Sequence, residues 1–123
     1  MSRHVDLVIV GVTPAACAAA IDAARRRRRV LIVSDTPANR CHRHLLRGLK
    51  AHREVQRELV SVLTGVEVVC VDGTNAIEVV LLRTMKTGRM VGINTAAVLV
   101  TTPLPPTVLS PAVRPHVQHL HSA

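Results

Sequence analysis

The stretch Asp6–Asp35 reads DLVIVGVTPAACAAAIDAARRRRRVLIVSD and decides how the chain must fold. An apolar run, Leu7 to Val10, ends at Gly11; an alanine-rich segment follows, and a second apolar run, Val30 to Val33, closes the unit. Strand one, Val5 to Val10, is nearly continuously apolar, the pattern of a central parallel strand covered on both faces. The turn Gly11–Thr13 leads to Pro14, which suits the first turn of a helix because its missing N–H would be unpaired there anyway. The helix runs to about Arg27, built on alanine, the best helix former, with Ala, Cys and Ile positions small enough for close packing on a sheet. Strand, tight turn, helix and strand in about 30 residues is the sequence form of a βαβ unit.

The chain has 123 residues, enough for about one domain with a modest core. Hydrophobic residues make up 48%, yet Phe, Tyr and Trp are absent, so Ile, Val, Leu and Ala build the core. No aromatic side chain is available to stack on a flavin, a nicotinamide or a base, which weighs against stacking modes of recognition. Lys plus Arg total 16 against 8 acids, a formal charge of +8, which favours anionic partners: nucleotide phosphates, nucleic acid or an acidic membrane surface. Cys17, Cys41 and Cys70 are far apart and form no CxxC pair, as expected of reduced thiols in the cytoplasm rather than of a disulfide framework. Cys17 and Cys70 fall in apolar surroundings and are expected to be packing residues. No segment has the ~18 uninterrupted apolar residues of a membrane span, and the N-terminus lacks signal-peptide form, so the expectation is a soluble, cytoplasmic protein.

After strand two comes a polar loop, Ser34 to Arg43, with Pro37 and Asn39. Leu45, Leu46, Leu49, Val55, Leu59, Val62 and Leu63 then recur at helical spacing opposite Arg47, Lys50, Arg53, Glu54, Arg57 and Glu58. This predicts a basic-faced amphipathic helix ended by Gly65, with Gly48 a possible start. Val66 to Val71 reads as a third strand. Ala76–Leu82 and Met90–Asn94 flank Lys86-Thr87-Gly88-Arg89 and read as a hairpin, with glycine at the φ > 0 position. Val98 to Val100 is one more buried strand. From Pro103 onward five prolines and no helical period predict an extended, flexible tail. The expected organisation is a Rossmann-like three-layer α/β domain over residues 1–103, with a parallel sheet and a β-meander, and a disordered tail over 104–123.

These residues resemble the N-terminal FAD-binding domain of FAD-dependent oxidoreductases, including the thioredoxin-reductase-like flavoproteins, over about residues 5 to 103. The stretch from Asp6 to Asp35 is similar to the family's opening strand, glycine-rich turn, helix and second strand. GVEVVCVDGTNAIEVVLLRTMKTGRMVGINTAAVLVTTP is similar to its third strand, meander and closing strand. Thr101-Thr102-Pro103 stand where the closing strand usually ends in Ala-Thr-Gly beside the nucleotide, and Asn39-Arg40, His42, His44 and Gly48 are similar to the thioredoxin-reductase-like branch. The resemblance implies bound FAD, with NAD(P) as the alternative dinucleotide.

In the dinucleotide fingerprint the first glycine makes the tight turn, the second lets backbone approach the pyrophosphate, and the third allows close helix packing. Gly11 keeps the first role; Thr13 replaces the second glycine and Ala16 the third, with Pro14 and Ala15 between them. The acid that holds the ribose normally ends strand two, which aligns with Ser34, while Asp35 follows one place later. Arg40 could reach a phosphate. The expected cofactor-binding residues are therefore Gly11, Thr13, Pro14, Ala15, Ala16, Ser34, Asp35, Arg40, Thr101 and Thr102, with Pro103 crowding the pyrophosphate. Family members continue into a substrate or NADPH domain, so these residues look like a nucleotide-binding half that needs a further domain or subunit to turn over. Without a CxxC pair, disulfide redox chemistry does not carry over, and the catalytic residues are unknown.

Cys41-His42-Arg43-His44 with His52 has metal-ligand composition, but no convergent second pair is evident and the flanking arginines oppose a cation, so a basic loop is the expectation and no metal is assigned. His116, His119 and His121 read as solvated tail residues. No nucleophile–base arrangement stands out. Arg25 to Arg29 are five consecutive arginines, read as a solvated helix end that complements the macrodipole. Five adjacent arginines cannot all face one partner. A second reading uses this run with the Arg47, Lys50, Arg53, Arg57 face as a non-catalytic nucleic-acid-binding module; a third is a fold remnant without a ligand.

Overall fold

Two short sheets lie face to face, and the first is threaded from the Asp6–Asp35 unit. The structure is a computed structural model and describes residues 3–36, 40–56 and 58–120. β1 (Arg3–His4) precedes β2 (Leu7–Val10), α1 (Pro14–Arg25) and β3 (Val30–Ser34). α2 (Arg40–Lys50), the one-turn α3 (Arg53–Gln56) and β4 (Val60–Thr64) follow. β5 (Val66–Asp72), β6 (Val79–Thr84) and β7 (Met90–Asn94) form the meander, and β8 (Val98–Val100) returns to the first sheet. After two 3₁₀ turns, Pro106–Val108 and Arg114–His116, β9 (Gln118–His119) ends the described fold.

The first sheet has the order β4-β3-β2-β8-β9 and is parallel throughout. The second has the order β1-β7-β6-β5, with β1 parallel to β7 and the remainder antiparallel. Side chains of the parallel strands alternate between two cores, as the period of two requires. Ile9, Val30, Ile32 and Leu99 pack under Ala16, Ala20, Ala23 and Ala24 of α1. Val8, Val10, Leu31, Val33, Val98 and Val100 face the meander, against Val66, Val71, Val80, Leu82 and Ile93. Helices, parallel sheet and antiparallel sheet thus make the three layers that the continuous apolar strands imply. α1 is capped at its start by Thr13 and carries Arg25 in its last turn.

The segment after Gly48 differs from its helical spacing. Gly48 lies inside α2 rather than at its start, the helical pattern breaks after Lys50, and Val60–Thr64 is a strand paired with β3. Leu59, Val62 and Leu63 fit a helical spacing, whereas Val60 and Val62 fit a period of two, and pairing with the buried Val30–Ser34 decides between the two patterns. Gly65, at φ +68°, is therefore the corner that turns the chain from one sheet to the other, and Val66–Asp72 belongs to the meander, not to the parallel sheet. Arg57 lies outside the described residues.

The flexible tail expected beyond Pro103 is also corrected, for residues 104–120. The prolines confine the backbone to extended and 3₁₀ segments, yet Leu109, Val113 and Val117, spaced four apart, are buried in the core between the sheets. Ser110 N–H donates to Val71 O at 3.1 Å, and Leu120 N–H to Val100 O at 2.8 Å. Residues 118–119 add the fifth parallel strand beside β8. Replacing Leu109 by Ala is expected to lower unfolding free energy by about 2–3 kcal/mol, read as a lower urea midpoint at unchanged slope; a loose tail would leave the midpoint where it is.

Candidate functional site

The carboxyl ends of β2, β3 and β8 meet at one edge, and the strand order reverses there: the chain leaves β2 toward β3 on one side and returns to β8 on the other. Open parallel sheets present their binding crevice at such a switch point. A cavity of about 310 Å³ lies there, lined by Gly11 and Val12 after β2, Ser34 to Thr36 after β3, and Thr102 to Leu104 after β8.

Gly11 adopts φ +105°, and a Cβ built on it would stand 2.6 Å from Thr102 Cγ2 and 2.7 Å from Thr101 Oγ1. Its N–H donates to Val33 O at 2.7 Å. Thr101 is buried, and both its N–H and its hydroxyl donate to Val10 O, at 2.9 and 2.8 Å. Thr101 therefore ties β8 to β2 and is not aimed at the cavity, whereas Thr102 and Pro103 line it.

At the end of β3 the two candidates for a ribose contact separate. Ser34 is buried, with only 6% of its surface exposed, and its Oγ accepts the Thr36 N–H at 3.2 Å. Asp35 is exposed, lines the cavity, and its Oδ1 accepts only the Thr36 hydroxyl, at 3.2 Å, among the described hydrogen bonds. A carboxylate has four lone-pair positions, so Asp35 retains most of its acceptor capacity. The Arg40 side chain, together with those of Cys41 and His42, lies outside the described part of the structure.

Thr13, Pro14, Ala15 and Ala16 form the first turn of α1 and do not line the cavity. Thr13 has extended backbone and acts as N-cap: its Oγ1 accepts Ala16 N–H at 3.1 Å, and its carbonyl accepts Cys17 N–H at 3.0 Å. Proline brings no N–H. Of the helix's first-turn donors this leaves Ala15 N–H uncommitted among the described residues, so the threonine in place of the second glycine spends the helix start on its own cap.

Thr36, Val66, Val68 and Leu104 line the cavity and escape a reading of the fingerprint. Val66 and Val68 of β5 and Leu104 form an apolar wall. Val66 and Val68 are two apart on one face of a strand, which marks a shared surface but not which surface; Leu104 sits in the segment expected to be loose. Cys17 is half-buried, and burial pushes its thiol up from the ordinary range, so it is suited to packing rather than to nucleophilic work. Cys70 is also half-buried. Among the described residues no group of three His, Cys, Asp or Glu could hold a metal ion, and His121 lies outside them. No helix among the described residues is long and apolar enough to cross a membrane.

No family model matches the chain, and no curated protein matches it. Solved structures do. Thioredoxin reductase from Streptococcus pyogenes MGAS5005 is similar with a TM-score of 0.63 at 21% identity, over 83% of this chain and 32% of that one. The myxobacterial chondrochloren halogenase CndH, a variant of FAD-dependent halogenases, is similar with a TM-score of 0.64 at 14% identity, over 81% of this chain and 37% of that one. HlmI is similar with a TM-score of 0.60 at 25% identity, over 85% of this chain and 38% of that one. The chain thus spans about a third of the length of these proteins. Its three layers, parallel sheet and switch-point cleft are the Rossmann-like α/β fold that thioredoxin reductase and the FAD-dependent halogenase also contain.

Proposed function

We propose that the chain is an FAD-binding module related to the FAD-dependent oxidoreductases, with the adenosine ribose held at Asp35 and the pyrophosphate passing the Gly11 turn toward Ala15. The observation that carries this reading is the juxtaposition, at one switch-point cleft, of a glycine with no room for a side chain and an exposed carboxylate at the end of the neighbouring strand. Asp35 offers acceptors for ribose hydroxyls, and its charge disfavours a 2′-phosphate, so FAD or NAD suits the site better than NADP. Val66, Val68 and Leu104 offer an apolar surface to a base in a chain without aromatic rings. The residues present fit the nucleoside end of the cofactor better than its phosphates, because Thr13 already occupies Ala16 N–H and Pro103 stands at the lip of the cavity.

A bound flavin supplies the electron chemistry; this chain's residues bind and orient it. If the protein is active it is as an FAD-dependent oxidoreductase, with substrate and reductant met by a further domain or subunit. As purified, the protein is expected to carry flavin absorbance, and calorimetry is expected to give heat with FAD and ADP. The chain contains no Tyr or Trp, so a near-ultraviolet band reports the ligand alone. No flavin band and no heat from FAD, ADP or NADPH would sink the proposal.

Three substitutions test the residue roles. Asp35→Asn is expected to weaken ADP and FAD alike, by roughly tenfold, the size of one charge-assisted hydrogen bond. Thr13→Gly costs a few tenths of a kcal/mol as a cap but frees Ala16 N–H, and is expected to tighten FAD several-fold while leaving adenosine unchanged. Gly11→Ala forces a side chain onto Thr101 and Thr102 at positive φ, and is expected to cost about 2–4 kcal/mol of stability, seen as a lower melting temperature.

A further inference from the structure

The connections β2–α1–β3 and β3–α2–α3–β4 cross one face of the parallel sheet and deliver both helical segments' C-termini to the edge where the strands begin. That edge carries Arg25 to Arg29, Lys50 and Arg53, with Arg3 and His4 from β1, all of them exposed. Hydrogen bonds from Val30 N–H to Leu59 O at 2.8 Å and from Asp6 N–H to Arg29 O at 2.9 Å draw the three loops together. Between them lies a depression of about 250 Å³ lined by Arg3, His4, Arg29, Glu58 and Ser61. Among the described side chains, Asp22 pairs with Arg26 at 3.6 Å, Asp6 Oδ2 accepts the Arg29 N–H at 2.8 Å, and Glu58 lines the depression.

Two of the described non-glycine residues at this edge, Arg27 and Glu58, have left-handed backbone. Arg28 N–H donates to Ala23 O and Arg27 N–H to Ala24 O, closing the loop that ends α1, and Arg27 is left-handed at φ +62°. Glycine is favoured at that position. Complementing the helix dipole accounts for cations in the last turn, not for an arginine held in strain beyond it. Among the described residues no large hydrophobic side chain is exposed at this edge. The exposed large hydrophobics Met85, Met90 and Leu120 lie at the other end, where Met85 N–H donates to Gly65 O and Leu120 N–H to Val100 O. That argues against insertion into a lipid surface, and the lack of aromatic rings argues against reading bases.

We propose that this amino edge is a second binding face, remote from the cleft, for the phosphate backbone of nucleic acid, without sequence preference. Fluorescence anisotropy of the whole protein with labelled duplex DNA of mixed sequence, and with a scrambled duplex, tests it across salt. Both duplexes are expected to bind equally, with affinity falling about a hundredfold between roughly 50 and 200 mM salt, as about four phosphate contacts require. Arg27→Gly/Arg28→Ser is expected to flatten the log–log salt slope by about one to two and to weaken binding several-fold, with a melting temperature no lower than the parent's. Lys86→Ser/Arg89→Ser, at the hairpin tip, is expected to change nothing. A flat salt response, an equal loss from the hairpin variant, or binding to phosphatidylserine vesicles but not to DNA would each overturn the proposal.

Discussion

A central strand buried on both faces in a chain without aromatic residues constrains everything around it. β2 carries Val8 and Val10 toward the meander and Ile9 toward α1, each almost inaccessible to solvent. With no ring to fill a gap, both neighbouring layers must come close. α1 does so by burying a stripe of alanines, Ala16, Ala20, Ala23 and Ala24, and the meander does so with β-branched and leucine side chains. Close-packed interiors tolerate few voids, so the third side of the inter-sheet core must also be filled. Leu109, Val113 and Val117 fill it, which is why a proline-rich segment is held in place rather than released.

The same closeness shapes the cleft. At the end of β2 the backbone of Gly11 passes so near Thr101 and Thr102 that any side chain would collide with them, and Val10 O takes two hydrogen bonds from Thr101. β8 and β2 are thereby locked at the point where the sheet opens. Thr101 serves this lock, Thr102 and Pro103 border the space, and the exposed carboxylate arrives from β3. The cap at Thr13 works in the opposite sense. A threonine hydroxyl on Ala16 N–H stabilises the start of α1 by about 1 kcal/mol, and it occupies a donor that an uncapped helix start would leave open.

The fold was legible where one period left no choice. Leu7–Val10 and Val30–Ser34 are too short and too apolar to be anything but buried strands once Gly11, Pro14 and an alanine helix stand between them. It was illegible where one segment offered two patterns: Leu59, Val62 and Leu63 recur at helical spacing while Val60 and Val62 alternate as a strand does, and only pairing with Val30 and Ile32 separates them. Leu109, Val113 and Val117 were hidden by prolines, which mask periodicity without preventing burial. The cleft was legible in Gly11, Asp35 and Thr102 because steric and charge requirements are local. Its apolar wall was not, because Val66, Val68 and Leu104 are brought to it by a second sheet and by a segment with no regular pattern.

The placement of the helix ends follows from the direction of the parallel strands. Because β2, β3 and β4 run parallel, the crossovers between them start α1 and α2 at the carboxyl edge and end them at the amino edge. Cations near a helix end and anions near a helix start are each favoured by the macrodipole, and Arg25, Arg47 and Lys50 follow that rule. The effect fades within a turn. Arg27, Arg28 and Arg29 lie past it, the first in a conformation suited to glycine, so helix stability gives no account of them. The cleft end bears the exposed Asp35 and the opposite end the exposed Arg27 to Arg29, and because the two regions share no residue and stand the length of α1 apart, about 18 Å, a change at one leaves the contacts of the other in place.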